Sequence, residues 1–197
     1  MEATQTILTK ASELFCRYGI KSVSIDDICR ELGMSKKTFY QHYSTKDELV
    51  DAILESNLAK TKQHWEEYLE GNEFSDLINR FAAYNHSAKD DVRRIPALVY
   101  DLQKYYPMQF ASFLHKTFEA QKEHLIQLFT RGIEEGYVRP DLKVELTAVF
   151  FAKVHNDIIR DMDKLSEHDI NVLHLGHIAM EILVRGILSP KGLEILK

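Results

Sequence analysis

Two short stripes of apolar residues at helical spacing meet at Gly33-Met34-Ser35. Ile25, Ile28, Cys29 and Leu32 form the first, and Phe39 and Tyr43 are the inward residues of the second. Ser24 opens the first stripe; Ser24-Ile25-Asp26-Asp27 is a loose capping box with Asp in place of Glu, and Ser35 caps the second stripe. The chain must reverse tightly between them, and Gly33 is the residue that tolerates the positive φ this needs. Two helices joined in this way make a helix-turn-helix. An earlier stripe, Ile7, Leu8, Ala11, Leu14 and Phe15, closed by Gly19 as a left-handed cap, supplies a third helix behind the pair.

Helical period continues through the rest of the 197 residues, prolines number only four, and no segment alternates cleanly as a strand. The expected fold is all-α, with an N-terminal three-helix helix-turn-helix domain and a C-terminal helical bundle, about nine helices in total. Thr45-Lys46-Asp47-Glu48 is a capping box that opens a longer fourth helix, with Leu49, Ile53, Leu58 and Trp65 on helical spacing. Further helices are expected from Phe74 to about Ala88, from Val92 to Tyr105 with Pro96 in the first turn, and from Pro107 to about Glu135. Gly136 to Asp141 reads as a turn, followed by helices from Leu142 to about Met162 and from Glu167 to about Leu188. Glu70-Gly71-Asn72 interrupts the pattern, but the fourth helix reads as the joint between the two parts. We therefore divide the chain at residues 1–48 and 49–197.

The chain as a whole is acidic, with a formal net charge of −5. That balance argues against coating a nucleic acid or an anionic membrane with the entire surface. Between Glu31 and Asp47, however, there is no carboxylate, while Lys36, Lys37, Lys46, His42, Phe39, Tyr40 and Tyr43 fall there. In a helix-turn-helix the second helix enters the DNA major groove N-terminal end first. Lysines neutralise phosphates or donate to guanine edges. The Thr38 and Tyr40 hydroxyls suit phosphates or bases, and helix N-termini offer free N–H groups to phosphate oxygens. The basic charge is local because one face alone meets DNA.

The stretch ILTKASELFCRYGIKSVSIDDICRELGMSKKTFYQHYSTKDELV resembles the DNA-binding domain of the TetR family of bacterial transcription regulators. The resemblance runs from about Ile7 to Ile53. It rests on A-x-x-L-F-x-x-x-G in the first helix, S-I-x-x-I-x-x-x-L-G-M-S in the second helix and turn, and T-F-Y-x-H-Y-x-x-K-x-E-L after it. By matched position it implies DNA contacts at Ser24, Lys36, Lys37, Thr38, Tyr40, His42 and Lys46. Ser24 and Ser35 read equally as plain caps, His42 as packing against Trp65 or the fourth helix, and Lys46 as an exposed lysine. Lys37 departs from the family, standing where many members carry Gly. The resemblance further implies an all-helical C-terminal part, residues 49–197, that binds a small effector and forms a homodimer through the last two long helices.

The remaining signals are weaker. Cys16 and Cys29 lie in apolar-periodic segments and read as buried thiols of a reducing cytosol, with a Cys16–Cys29 disulfide as the alternative. His155, His168, His174 and His177 look metal-like but stand with no cysteine or carboxylate at a recognised spacing, so no metal and no cofactor is expected. No basic start with an apolar core opens the chain, and no run approaches the ~20 apolar residues of a membrane span. Tyr100 to Phe118 is rich in aromatics, which fits an effector pocket or a plain bundle core alike. If a pocket, Tyr84, Tyr100, Tyr106, Phe110 and Phe118 line it, with His86 or Gln103 as polar handles. No nucleophile elbow, zincin motif or glycine-rich phosphate loop is present, so an enzyme is a poor fit. The leading expectation is a cytoplasmic, ligand-responsive homodimeric regulator, a repressor by family, released from a palindromic DNA operator by a small-molecule effector. The alternative is an all-α interaction protein that keeps the fold without binding an operator.

Overall fold

The computed structural model describes residues 2–70, 73–76, 95–167 and 171–196. Among these the chain forms ten helices and no strand, in agreement with the all-α expectation. They are α1 (Glu2–Tyr18), α2 (Ile25–Leu32), α3 (Lys36–Tyr40), α4 (Lys46–Glu70), α5 (Ile95–Tyr105), α6 (Pro107–Glu134), α7 (Val144–Arg160), α8 (Met162–Glu167), α9 (Val172–Ile187) and α10 (Pro190–Ile195). Most of the helix expected from Phe74 to Ala88 lies outside the described residues, as do Val92, His168 and Ile170. The chain divides into two compact units: Met1–Ala59 with Arg93–Phe113, and Lys60–Val92 with Leu114–Lys197.

The first unit is built on the α1 stripe. Ile7, Ala11 and Phe15 are buried with Ile20 and Val23 of the following loop, Ile28 of α2, Phe39 of α3, and Leu49 and Val50 of α4. A five-residue helix such as α3 cannot hold itself together in water. Its anchor is Phe39, fully buried, for which truncation to alanine costs about 3–5 kcal/mol. Cys29 is buried as expected, but Cys16 is exposed, and the two form no disulfide. The reason is helical phase: Cys16 follows the buried Phe15, and each step turns the side chain by about 100°.

The second unit centres on Phe129 of α6 and Phe151 of α7, whose rings meet edge-on at 5.1 Å. Val138, Ala148 and Leu188 pack with them, and α7 packs along α9. Helix α10 was not expected. Ser189 caps it by accepting from the Gly192 N–H at 3.2 Å, with Pro190 in the first turn. A serine followed by proline is a helix-start signal that was there to be read. The turn after α6 is tied to the C-terminal segment: Arg139 N–H donates to the Ile187 carbonyl at 3.0 Å and Ser189 N–H to the Tyr137 carbonyl at 2.9 Å.

Candidate nucleic-acid interface

Gly33 has φ 62° and ψ 28°, the left-handed conformation that the turn requires. Its N–H donates to the Arg30 carbonyl at 3.2 Å, and Met34 N–H donates to the Cys29 carbonyl at 3.0 Å, closing α2 and aiming the chain into α3. Ser35 Oγ then accepts from the Thr38 N–H at 3.1 Å and shares a hydrogen bond with Thr38 Oγ1 at 2.9 Å. With Phe39 and Tyr43 buried, helical phase leaves Lys36, Lys37 and Tyr40 exposed. Tyr40 packs edge-on against Phe39 at 5.6 Å, which steadies its ring while 49% of the residue stays accessible.

The two lysines differ. Lys36 Nζ pairs with Asp26 Oδ1 of α2 at 2.7 Å, both side chains being exposed. Such a pair is worth little and exchanges readily with a phosphate. Lys37 is exposed and takes no partner among the described residues, so its charge is already available.

Ser24 is a cap in full. Its Oγ accepts from the Asp27 N–H at 3.2 Å, while its own N–H and hydroxyl donate to Asp27 Oδ2 at 2.9 and 2.6 Å. Those hydrogen bonds from Ser24, with Arg30 adding to them, hold the Asp27 carboxyl below its usual range. His42 is half-buried, and its Nδ1 shares a hydrogen bond with Thr4 Oγ1 of α1 at 3.0 Å. Trp65 instead stacks on His124 in the second unit. The Thr45 box is offset by one residue: Thr45 Oγ1 accepts from the Glu48 N–H at 3.0 Å, but the Glu48 carboxylate accepts from Ser44 N–H at 2.7 Å.

Lys46 stands apart from the exposed group. It is half-buried, its Nζ donates to the Ile20 carbonyl, and it lies 5.5 Å from the centre of the Phe15 ring. Desolvation pushes its ammonium below the usual lysine value, against the pull of Asp101, Asp47 and Asp27. Its charge ties the loop before α2 to the start of α4 rather than standing free on the surface. The structure thus brings Lys36, Lys37, Thr38 and Tyr40 together on α3, with Ser24 and His42 engaged at its flanks.

The aromatic candidates for a pocket fare differently. Tyr106 and Phe110 are buried, and burial first, then Asp47 and Asp101, pushes the Tyr106 hydroxyl above its usual value. Tyr100 is exposed, its hydroxyl accepting from Lys104 Nζ at 2.7 Å. Gln103 and Phe118 are half-buried. Tyr100, Gln103, Tyr106 and Phe110 belong to the first unit and Phe118 to the second, while Tyr84 and His86 lie outside the described residues. A cavity of about 30 Å³ in the first unit sits elsewhere, among Phe15, Ile20, Val50 and Leu102. That is room for a water and not for an effector.

Residues 7–53 match the family described as bacterial regulatory proteins, tetR family. The chain is 24% identical over 146 residues, 73% of each chain, to the HTH-type transcriptional repressor KstR2 of Mycobacterium tuberculosis. It is 22% identical over 158 residues, 80% of each, to the HTH-type transcriptional regulator UidR of Escherichia coli. In fold it is similar to a TetR transcription regulator from Haloarcula marismortui, with a TM-score of 0.76 over 95% of this chain and 99% of that one at 16% identity. A putative transcriptional regulator from Saccharomonospora viridis, solved in complex with choline, gives a TM-score of 0.71 over 95% and 98% at 17% identity.

Proposed function

We propose that this chain, whose residues 7–53 match the tetR family of bacterial regulatory proteins, is a homodimeric repressor of that family that leaves a palindromic operator when a small effector binds. Residues 1–48 read the DNA, and residues 49–197 bind the effector and pair the subunits. The observation that carries this reading is the exposed face of α3, Lys36 and Lys37 with Tyr40 and the half-buried Thr38 beside them, on an otherwise acidic chain. Ser24 and His42 add contacts beside it, and Lys46 reaches phosphate only at the expense of its bond to Ile20. DNA as the partner places the work in the cytoplasm.

Dimerisation is supported by the faces that α7 and α9 leave uncovered. Leu146, Val149 and Phe150 on α7 are 71%, 36% and 56% exposed, at the spacing of one helix face. Ile178 and Ile182 on α9 repeat the pattern one turn apart. Buried across a two-fold axis, these faces make a four-helix bundle. Two identical recognition helices then read inverted half-sites about 34–36 Å apart. An effector that prefers a conformer with another spacing lowers operator affinity by that preference.

Selection of bound duplexes from a random pool tests the proposal. The expected product is an inverted repeat whose affinity falls steeply with salt. Selected DNA without inverted symmetry, or binding that ignores salt, overturns it.

A further inference from the structure

Buried polar groups collect where α6 meets α7 in the second unit. Thr117 of α6 is 6% exposed, and Gln121 follows one turn later on the same face. From α7, His155 and Asn156 meet them. The Gln121 amide donates to His155 Nδ1 at 2.9 Å, and Asn156 Nδ2 donates to the Leu114 carbonyl at 2.8 Å. Each amide has therefore used an N–H, while its oxygen remains. Gln121 Oε1, Asn156 Oδ1 and Thr117 Oγ1 are all buried and make no hydrogen bond with the protein among the described residues. Folded proteins seldom leave such groups unmatched.

We propose that Thr117, Gln121 and Asn156 form the polar end of the effector site and select an uncharged molecule that donates hydrogen bonds, of the amide or alcohol type. The proposal rests on the effector-responsive reading above. Two amide carbonyls and a hydroxyl call for donors. None of the three carries a charge, so an organic acid would set its carboxylate against carbonyl oxygens, and an ammonium would be desolvated without a counter-ion. Burial holds the His155 imidazole below its usual value, an effect that Asn156 opposes, so the ring enters the site neutral. One turn beyond Gln121, His124 stacks on Trp65 with ring centres 6.3 Å apart, an aromatic neighbour for the apolar part of a ligand.

Benzamide and benzyl alcohol, with toluene, benzoate and benzylammonium as matched controls, test this by titration calorimetry. Wild type is expected to bind the first two and not the controls. The Thr117→Val/Gln121→Leu double variant is expected to bind them about tenfold more weakly for each hydrogen bond lost, and Thr117→Ser to bind as wild type. Removing unmatched polar atoms leaves the double variant folded, which a melting curve checks. Equal binding of toluene or benzoate, full binding by the double variant, or no binding by any probe (water alone satisfying the oxygens) overturns the proposal. Operator affinity measured alongside separates the two readings. Benzamide binding without release sinks the effector reading and leaves the site, whereas release by a compound to which the double variant still responds sinks the site and leaves the effector reading.

Discussion

The Asp101 carboxylate accepts a hydrogen bond from the Lys21 backbone N–H at 2.9 Å, between residues eighty apart in sequence. The same oxygen lies 2.9 Å from where a Cβ on Gly19 would be, and Gly19 has φ +83°. Lys21 Nζ adds a bond to the Tyr105 hydroxyl at 2.8 Å. The loop between α1 and α2 is thus strapped to α5 by a carboxylate that only a glycine admits.

Asp101→Ala is expected to cost about 1–2 kcal/mol, the value of a charge-assisted bond to a backbone N–H. Gly19→Ala is expected to cost about as much, from its positive φ and from displacing the same carboxylate. Because both act on one contact, the double variant should lose less than the sum, which urea unfolding of the four proteins measures. Simple additivity would show the strap to be incidental.

Lys37→Ala is expected to weaken operator binding by a similar factor on all sequences. It should also reduce the log–log salt slope by about one per subunit, as for a phosphate contact. The structure favours this over base reading because Lys37 has no partner among the described residues to hold it in one direction, and a lone lysine is a poor bidentate reader. A loss confined to one base pair of each half-site, seen by titration of single-substituted duplexes, would assign Lys37 to guanine instead.

Phe150→Glu puts a carboxylate into the proposed subunit face. It is expected to weaken dimerisation by about 3 kcal/mol, roughly a hundredfold. Sedimentation equilibrium should find wild type at twice the 22.9 kDa chain and the variant near one chain at micromolar concentration. Phe150 is exposed in the single chain, so its melting curve should stay nearly unchanged at low concentration.

His155 makes stability depend on pH. Burial lowers its folded value from 6.5, so the unfolded chain takes up a proton first as pH falls. The stability contributed by the neutral ring is complete above 6.5 and is lost as pH drops through 6.5 towards the lower folded value. The slope is at most about 1.4 kcal/mol per pH unit for one group. His155→Gln should flatten the slope in that window, as read from unfolding free energies at several pH values; an unchanged slope would place the titration on other histidines.

Features that repeat within one turn of chain are legible in the residue pattern. The caps at Ser24 and Ser35, the reversal at Gly33, the burial of Phe39 and Tyr43 and the exposure of Lys37 all follow from spacings of three or four residues. Their partners are near in sequence, so the pattern alone identifies them. Even there, Cys16 shows the limit: one step off the buried stripe turned an expected interior thiol outward. The tertiary structure alone decided what depends on distant segments meeting. Lys46 looked like a surface cation until the Ile20 carbonyl, 26 residues earlier, took its charge. Gln121 and His155, 34 residues apart, carry no spacing that marks them as neighbours, and the polar cluster exists only because α6 lies on α7. Local hydrogen bonding is encoded by short intervals in the chain, whereas burial of a polar group becomes visible only once packing has removed its water.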